Sequence, residues 1–479
     1  MASDEGGDRS QVREDGTVMA ALTVHHTDIS GLLVFDLPLH GDARGWFKEN
    51  WQRAKMTELG LPDFGPVQNN MSFNATAGST RGLHAEPWDK LISLAHGRIF
   101  GAWVDLRPGP GFGTAVTLDM GTDKAVFVPR GVANGYQALE PDTVYSYLVN
   151  DHWSPEARAS YTYLNLADPT VAIAWPIPLS DAEISDADRA HPVLADVTPM
   201  TPKRTVVVGA RGQLGRSLLE LLPDAVALQR PDFDLSDAAS VASVPWSQVG
   251  LIINASAYTA VDAAETAAGR RDCWEVNVTG LSRLVSVARE HRIPLVHVSS
   301  DYVFDGTAEV HSEDEPVSPL GVYGQTKAAG DALVATLPRH WIVRTSWVIG
   351  DGGNFVRTMA SLADRGISPS VVGDQFGRLT FTTDLAAGIV HLVESGAPSG
   401  VYNLTNAGPT VSWADIAKRV FELRGRSASD VTEVTSAEYF VGKTMAPRPV
   451  HSTLDLGKLA ATGFVPVDAD ERLVEYLAD

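Results

Sequence analysis

At 479 residues the chain is longer than one ordinary hydrophobic core organises, so two or three domains are expected. Its residues are 44% hydrophobic, its apolar runs are strand-sized and its first twenty residues are polar and acidic; a membrane span and a secretory leader are not expected, and a cytoplasmic location is. A formal charge of −21 argues against non-specific nucleic-acid binding, and Cys273, the single cysteine, excludes an intramolecular disulfide or a multi-cysteine zinc site.

Residues 1–22 are expected to be a mobile tail. Residues 23–192 follow as short β-rich runs, at 32–35, 90–94, 98–105, 125–128 and 144–148. Glycine and proline turns such as 107–111 and 129–131 separate them. That spacing predicts an antiparallel sandwich or barrel with few helices, an architecture that can enclose a ligand cavity. Polar residues gather near the run ends: Arg44, Glu49, Gln68, Asn70, Arg81, His84, Lys90, Asn134 and Tyr147. Each alone is an ordinary solvated turn residue.

Taken together and in order, several segments say more. They are Asp42-Ala43-Arg44-Gly45-Trp46-Phe47, Gln68-Asn69-Asn70-Met71-Ser72, Arg81-Gly82-Leu83-His84, Val104-Asp105-Leu106-Arg107, Thr114, Tyr147, Asp168-Pro169 and Ser185-Asp186-Ala187-Asp188. This set resembles the dTDP-4-dehydrorhamnose 3,5-epimerase family, whose fold is a cupin-type jelly roll. The resemblance implies His84 as the base, Asp188 as the carboxylate that orients it, and Tyr147 as the acid on the opposite face. It further implies Lys90 near the developing enolate oxygen, and Arg44, Phe47, Glu49, Gln68, Asn70 and Arg81 around the nucleotide. The chemistry is coherent: a hydrogen beside a ketone is removable when the enolate oxygen is stabilised, and imidazole titrates near neutral pH. Two departures bear on the sugar. Ala85-Glu86-Pro87-Trp88-Asp89 replaces the family's glutamine-bearing loop, and Asn134 stands where the family has a second histidine. They leave open which sugar is taken and whether one or two carbons are inverted.

The stretch from His191 to Lys203 contains Pro192, Pro199 and Pro202 and no apolar periodicity. It reads as a stiff linker over 193–203, with the boundary near Pro199.

From residue 204 to 479 strands and helices alternate, which predicts a Rossmann-type, doubly wound parallel sheet. Its first turn is Thr205-Val206-Val207-Val208-Gly209-Ala210-Arg211-Gly212-Gln213-Leu214-Gly215. Gly209 lets the chain turn, Gly212 admits a pyrophosphate close to backbone N–H groups, and Gly215 lets helix pack on strand. Residues 232–237, with Asp234 and Leu235, lead into a helix, and 251–259 run from a strand into a polar loop. Another buried strand ends in hydroxyls at Ser299 and Ser300. Tyr323 and Lys327, at i and i+4, share one helix face. A carbonyl reductase needs this pair: the ammonium is expected to lower the phenol's pKa from about 10, so that it protonates the carbonyl oxygen that Ser300 holds.

With Asn254-Ala255-Ser256-Ala257-Tyr258-Thr259-Ala260-Val261-Asp262, Val276-Asn277, Arg344-Thr345-Ser346-Trp347-Val348 and Gly373-Asp374-Gln375-Phe376-Gly377, this half resembles the extended short-chain dehydrogenases, most closely the dTDP-4-dehydrorhamnose reductase family. The resemblance implies a reduced nicotinamide cofactor held by Gly209, Arg211, Gly212, Gln213, Leu214, Gly215, Arg230, Asp234, Leu235, Ala255, Ser256, Ala257, Tyr258 and Asn277. It also implies a small substrate-binding subdomain, with Trp347 against the substrate. No acidic residue follows Val226-Ala227-Leu228 to grip a ribose hydroxyl, and Arg211 and Arg230 suit a 2′-phosphate, so NADPH is expected ahead of NADH.

The leading reading is a bifunctional isomerase and oxidoreductase that converts dTDP-4-dehydro-6-deoxy-D-glucose to dTDP-L-rhamnose. Alternatives are the same chemistry on another deoxysugar nucleotide, and a non-catalytic scaffold that senses nucleotide sugar or dinucleotide. Neither half contains a ligand cluster that demands a metal. A homodimer is implied only by the two resemblances.

Overall fold

The computed structural model describes residues 21–442 and 445–478. The tail expected over 1–22 therefore lies almost wholly outside the described residues. The chain divides into two compact units, one ending at Pro202 and the other beginning at Lys203.

The first unit is built on two antiparallel sheets. One has six strands in the spatial order Thr23–His26, Leu33–Asp36, Lys124–Val128, Lys90–His96, Thr143–Val149, Gln68–Asn74. The other has five: Thr162–Tyr163, Thr80–Ala85, Val132–Ala138, Ile99–Asp105, Ala115–Met120. Ile92, Leu94, Val126 and Tyr145 of the first sheet form one buried cluster with Ile99, Trp103, Met120 and Tyr136 of the second, so the sheets pack face to face. Each such side chain contributes about 1.5–3 kcal/mol of burial. Helices are few and short, as the residue pattern predicts; Arg53–Glu58 has six residues.

The sequence reading names five of these eleven strands, and two of the six it leaves out show why. Ala115–Met120 is an edge strand, and Gln68–Asn74 alternates half-buried Gln68, Asn70 and Ser72 with exposed Asn69, Met71 and Phe73 before ending on buried Asn74. Its inward residues are polar, so no apolar alternation marks it. The proline-bearing segment is also more integrated than a linker. Leu194, Val197 and Met200 are buried with Leu83, Val104 and Leu106, the Met200 N–H donates to Leu106 at 2.8 Å, and the Leu194 N–H donates to Asp168 at 2.6 Å.

The second unit centres on a six-stranded parallel sheet ordered Val226–Leu228, Arg204–Val208, Val249–Asn254, Leu295–Ser300, His340–Thr345, Gly400–Asn403. Leu214 and Leu218 of helix Gln213–Leu221 pack with Leu385 and Ile389 of helix Thr382–Glu394 on one face. Leu281, Leu284 and Val285 of helix Leu281–Glu290 and Val334 of helix Val322–Val334 cover the other. Both faces are buried, which explains the continuous apolar strands. A further cluster joins helices Phe355–Asp364 and Trp413–Leu423 to short strands at Val348–Ile349, Ser370–Val372 and Thr380–Phe381.

Candidate active sites

In the first unit the strand Thr80–Ala85 carries His84 opposite Asn134 of the neighbouring strand. The backbone there is tightly apposed: Gly82 has φ +120°, and a Cβ on it would lie 2.5 Å from Gly135 Cα. Glycine is thus required beside the histidine. His84 Nε2 is 2.8 Å from Asp188 Oδ1. Asp188 is nearly buried on the short helix Asp186–Arg189, whose capping residue Ser185 accepts from the Asp188 N–H. Burial pushes the Asp188 carboxyl up, but the His84 hydrogen bond and the His84 and His191 charges outweigh it and hold the group below its ordinary value.

The dyad sits among aromatics. Tyr163 stacks on His191 at 4.6 Å, and both meet the His84 ring edge-on, at 5.4 and 5.2 Å. Burial, then the His84 charge, lower the His191 pKa. Donor atoms of His84, Asp188 and His191 lie within 4.8 Å of one another, a set capable of holding a metal ion. The dyad hydrogen bond already engages the His84 and Asp188 atoms.

Lys90 is buried beside this pair's sheet. Its ammonium meets Glu86 at 2.9 Å, bonds to the Asn134 side-chain oxygen and lies 5.9 Å from the Tyr147 ring centroid. Burial lowers its pKa and Glu86 opposes that. Asn134 in turn donates to Tyr145 at 3.2 Å. Burial, reinforced by Glu86, pushes the Tyr147 phenol up to about 12. Arg81 and Tyr136 both donate to Asn74, each at 3.2 Å, while Gln68 donates to Asn70 at 2.7 Å. The structure therefore brings His84, Asp188, Lys90, Asn134 and Tyr147 into linked contacts.

Arg44, Phe47 and Glu49 are held apart from that set. Arg44 pairs with Asp42 on an exposed hairpin, Phe47 is 64% exposed and stacks on His40, and Glu49 pairs with Lys55. Among the described residues, none of the three hydrogen-bonds, pairs or stacks with another predicted site residue.

In the second unit the glycine turn has the expected form. Gly209 has φ +82°, and a Cβ there would fall 2.7 Å from the Ser256 nitrogen; one on Gly215 would fall 2.3 Å from the Gly209 oxygen. Gly212 caps helix Gln213–Leu221, and no side chain satisfies the first-turn N–H groups. An open helix N-terminus with a strand loop pressed against it fits a dinucleotide pyrophosphate. Leu214 is buried, and the Gln213 side-chain oxygen is buried without a partner. Arg211 donates to the Arg230 carbonyl at 3.0 Å, and Arg230 pairs with Asp234 at 2.9 Å. Leu235 is core. The loop 255–258 is clamped by Asn277, which accepts from the Tyr258 N–H at 2.8 Å and donates to its carbonyl at 3.2 Å. Ala255 and Ala257 are half-buried in the same loop.

Ser300 ends its strand and donates to Asp301 at 2.8 Å. Tyr323 and Lys327 lie on helix Val322–Val334 as expected. The expected lowering of the phenol is not what the structure gives. Burial drives the Tyr323 pKa up, the Asp301 charge adds to that, and Ser300 only opposes it. Lys327 spends its hydrogen bonds elsewhere, on the Val298 carbonyl at 2.6 Å and beside His297 at 3.3 Å. Trp347 stacks on Trp413 at 3.8 Å. The sequence reading missed Asp301, whose buried carboxyl is pushed up to about 6 against hydrogen bonds from Ser452 and Ser300. Adjacency to Ser300 was the available signal. It also missed His191, three residues past Asp188, and buried His297, which looks like an ordinary strand residue.

Comparison with known proteins gives each unit its own relatives. A family model for dTDP-4-dehydrorhamnose 3,5-epimerase matches residues 26–196, and one for the RmlD substrate binding domain matches 203–479. The chain is 51% identical over 181 residues to the RmlC homolog of Streptococcus pyogenes serotype M6, covering 37% of this chain and 91% of that protein. It is 39% identical over 290 residues to dTDP-4-dehydrorhamnose reductase of Aggregatibacter actinomycetemcomitans, covering 56% of this chain and 97% of that one. The crystal structure of dTDP-4-dehydrorhamnose reductase from Bacillus anthracis in complex with NADP superposes with a TM-score of 0.54 at 32% identity, over 58% of this chain and all of that one. The chain belongs, through its first unit, to the dTDP-4-dehydrorhamnose 3,5-epimerase (RmlC) family and, through its second, to the RmlD reductase family.

Proposed function

We propose that the chain carries out two successive reactions on one sugar nucleotide. Residues 23–192, read as a cupin-type jelly roll, epimerise dTDP-4-dehydro-6-deoxy-D-glucose at carbons 3 and 5. Residues 204–479, read as a doubly wound sheet with a small substrate-binding subdomain, reduce the resulting 4-ketone with NADPH to dTDP-L-rhamnose. The observation that carries this is the His84–Asp188 pair at 2.8 Å in the epimerase-family half of a chain whose other half belongs to a reductase family.

In the epimerase half, Asp188 takes His84 Nε2, which leaves Nδ1 as the atom that removes the hydrogen beside the ketone. Lys90, dry and paired with Asn134, faces the enolate oxygen that forms. Tyr147, its phenol at about 12, holds its proton at neutral pH and delivers it to the other face. Arg81, Gln68 and Asn70 hold the nucleotide in this half.

In the reductase half, the Gly209–Gly215 turn, the 255–258 loop and Asn277 hold NADPH, with Arg211 and Arg230 toward its 2′-phosphate. When bound, NADPH supplies the hydride. Tyr323 gives its proton to the carbonyl oxygen, the Ser300 hydroxyl turns from Asp301 to hold that oxygen in place, and Trp347 lines the sugar side. The protein is read as a cytoplasmic homodimer. Trp46, Phe47, Met71 and Phe73, at 47–67% exposure, supply apolar surface for a second copy, and sedimentation tests it.

The decisive assay offers the purified chain the D-configured keto-sugar nucleotide and NADPH in deuterated water. Expected are NADPH oxidation, dTDP-L-rhamnose by NMR and deuterium at carbons 3 and 5. Deuterium at one carbon alone, or no turnover, ends the reading.

A further inference from the structure

The hydrogen bonds around Lys327 have a direction that can be read from one group that only donates, the Ser256 backbone N–H. The Ser256 backbone N–H, 3.1 Å from Asn254 Oδ1, and the Ser256 hydroxyl, at 2.6 Å, turn the Asn254 side-chain oxygen toward the 255–258 loop. The Asn254 NH2 group then faces His297 Nδ1 at 3.1 Å. Asn254 and His297 stand opposite each other on adjacent parallel strands, so the contact is set by register. An amide NH2 cannot accept, so Nδ1 must be the bare nitrogen and the neutral ring carries its hydrogen on Nε2. His297 Nε2 is 3.3 Å from Lys327 Nζ. A ring N–H pointing at Nζ is matched by a neutral amine with its lone pair toward the ring, and opposed by an ammonium, which has none.

We infer that His297, fixed by Asn254 and through it by the dinucleotide-binding loop, is a positioning residue that sets the proton affinity of Lys327. The inference deepens the reductase reading and rests on it for the role of Lys327. The ring is fully buried, and burial with the Lys327 charge holds it well below its ordinary pKa, so it does not escape by taking a second proton. Other groups face Lys327 too. Asp331, one turn along its helix and bonded to Arg344 at 3.1 Å, favours the ammonium, as does Cys273 from helix Ala267–Trp274. Tyr323 lies one turn before it, with the Asp301 charge acting on the phenol. Burial outweighs these and lowers Lys327 to about 8.

Two measurements test this. In long-range 1H–15N spectra of the full chain with labelled histidine, the signal lost in His297→Gln is expected to show a bare Nδ1 and a protonated Nε2 at neutral pH. A protonated Nδ1 overturns the inference, whether or not the chain reduces a ketone. In Asn254→Asp the carboxylate accepts from Nδ1, the ring presents a bare Nε2, and the ammonium is stabilised. The alkaline limb of kcat for NADPH-dependent reduction is then expected to move up by about one pH unit or more. An unmoved limb in a folded variant with unchanged NADPH affinity overturns it as well. Failure of any reduction by the unaltered chain removes the reductase reading, while the spectra still decide the tautomer.

Discussion

His84 and Asp188 come from segments 104 residues apart, and only the fold makes them a pair. His84→Ala or Asp188→Asn should lower deuterium exchange beside the ketone by about 10²–10⁴. Reduction of the separately supplied L-configured ketone should be unaffected, and NADPH absorbance reads it. Asp301 makes a second prediction. Its folded pKa of about 6 lies above the unfolded carboxylate value of 3.8, so between these the folded state holds the extra proton. Stability is therefore fully favoured below the unfolded value and lost as pH rises through about 6, by about 3 kcal/mol at roughly 1.36 kcal/mol per pH unit. Asp301→Asn should flatten that part of the thermal-stability profile of the second unit, read by calorimetry.

At the scale of elements, the glycine turn and the sheet core carry the load. Gly209→Ala drives a Cβ to 2.7 Å from Ser256 and strains a positive φ, so NADPH affinity should fall at least tenfold, about 1.4 kcal/mol, by fluorescence titration. Trp103→Ala, deep between the two sheets, should cost about 3–5 kcal/mol in the first unit. These elements were legible because their patterns are local: β-branched runs before Gly209, leucines at helical spacing after it, Tyr323 and Lys327 one turn apart. Gln68–Asn74 was not legible, because its inward residues are amides and hydroxyls and its apolar ones, Met71 and Phe73, point outward. The Tyr323–Lys327 electrostatics were misjudged for a related reason. Spacing puts an ammonium near a phenol, but only burial, which no spacing reveals, decides that the phenol rises. His297 was hidden too, since its meaning lies in the direction of bonds made across strands.

At the scale of the whole molecule, each hydrophobic cluster lies within one unit. The halves should accordingly fold and act when expressed separately, and mixing them should restore the two-step conversion at a rate set by diffusion of the intermediate. Where the chain is divided matters, however. The β-rich pattern ends near Pro192, but Leu194, Val197 and Met200 fill the hollow beside Leu83, Val104 and Leu106.

Residues 193–202 are thus a strap on the first unit instead of slack between two enzymes. A piece ending at Pro192 would open a greasy trough where the strap had lain, and should aggregate on warming, whereas one ending at Pro202 should stay in solution. Any graft that swaps this half for a relative's has to carry the strap with the pair of sheets it closes, or the seam will be cut through a wall.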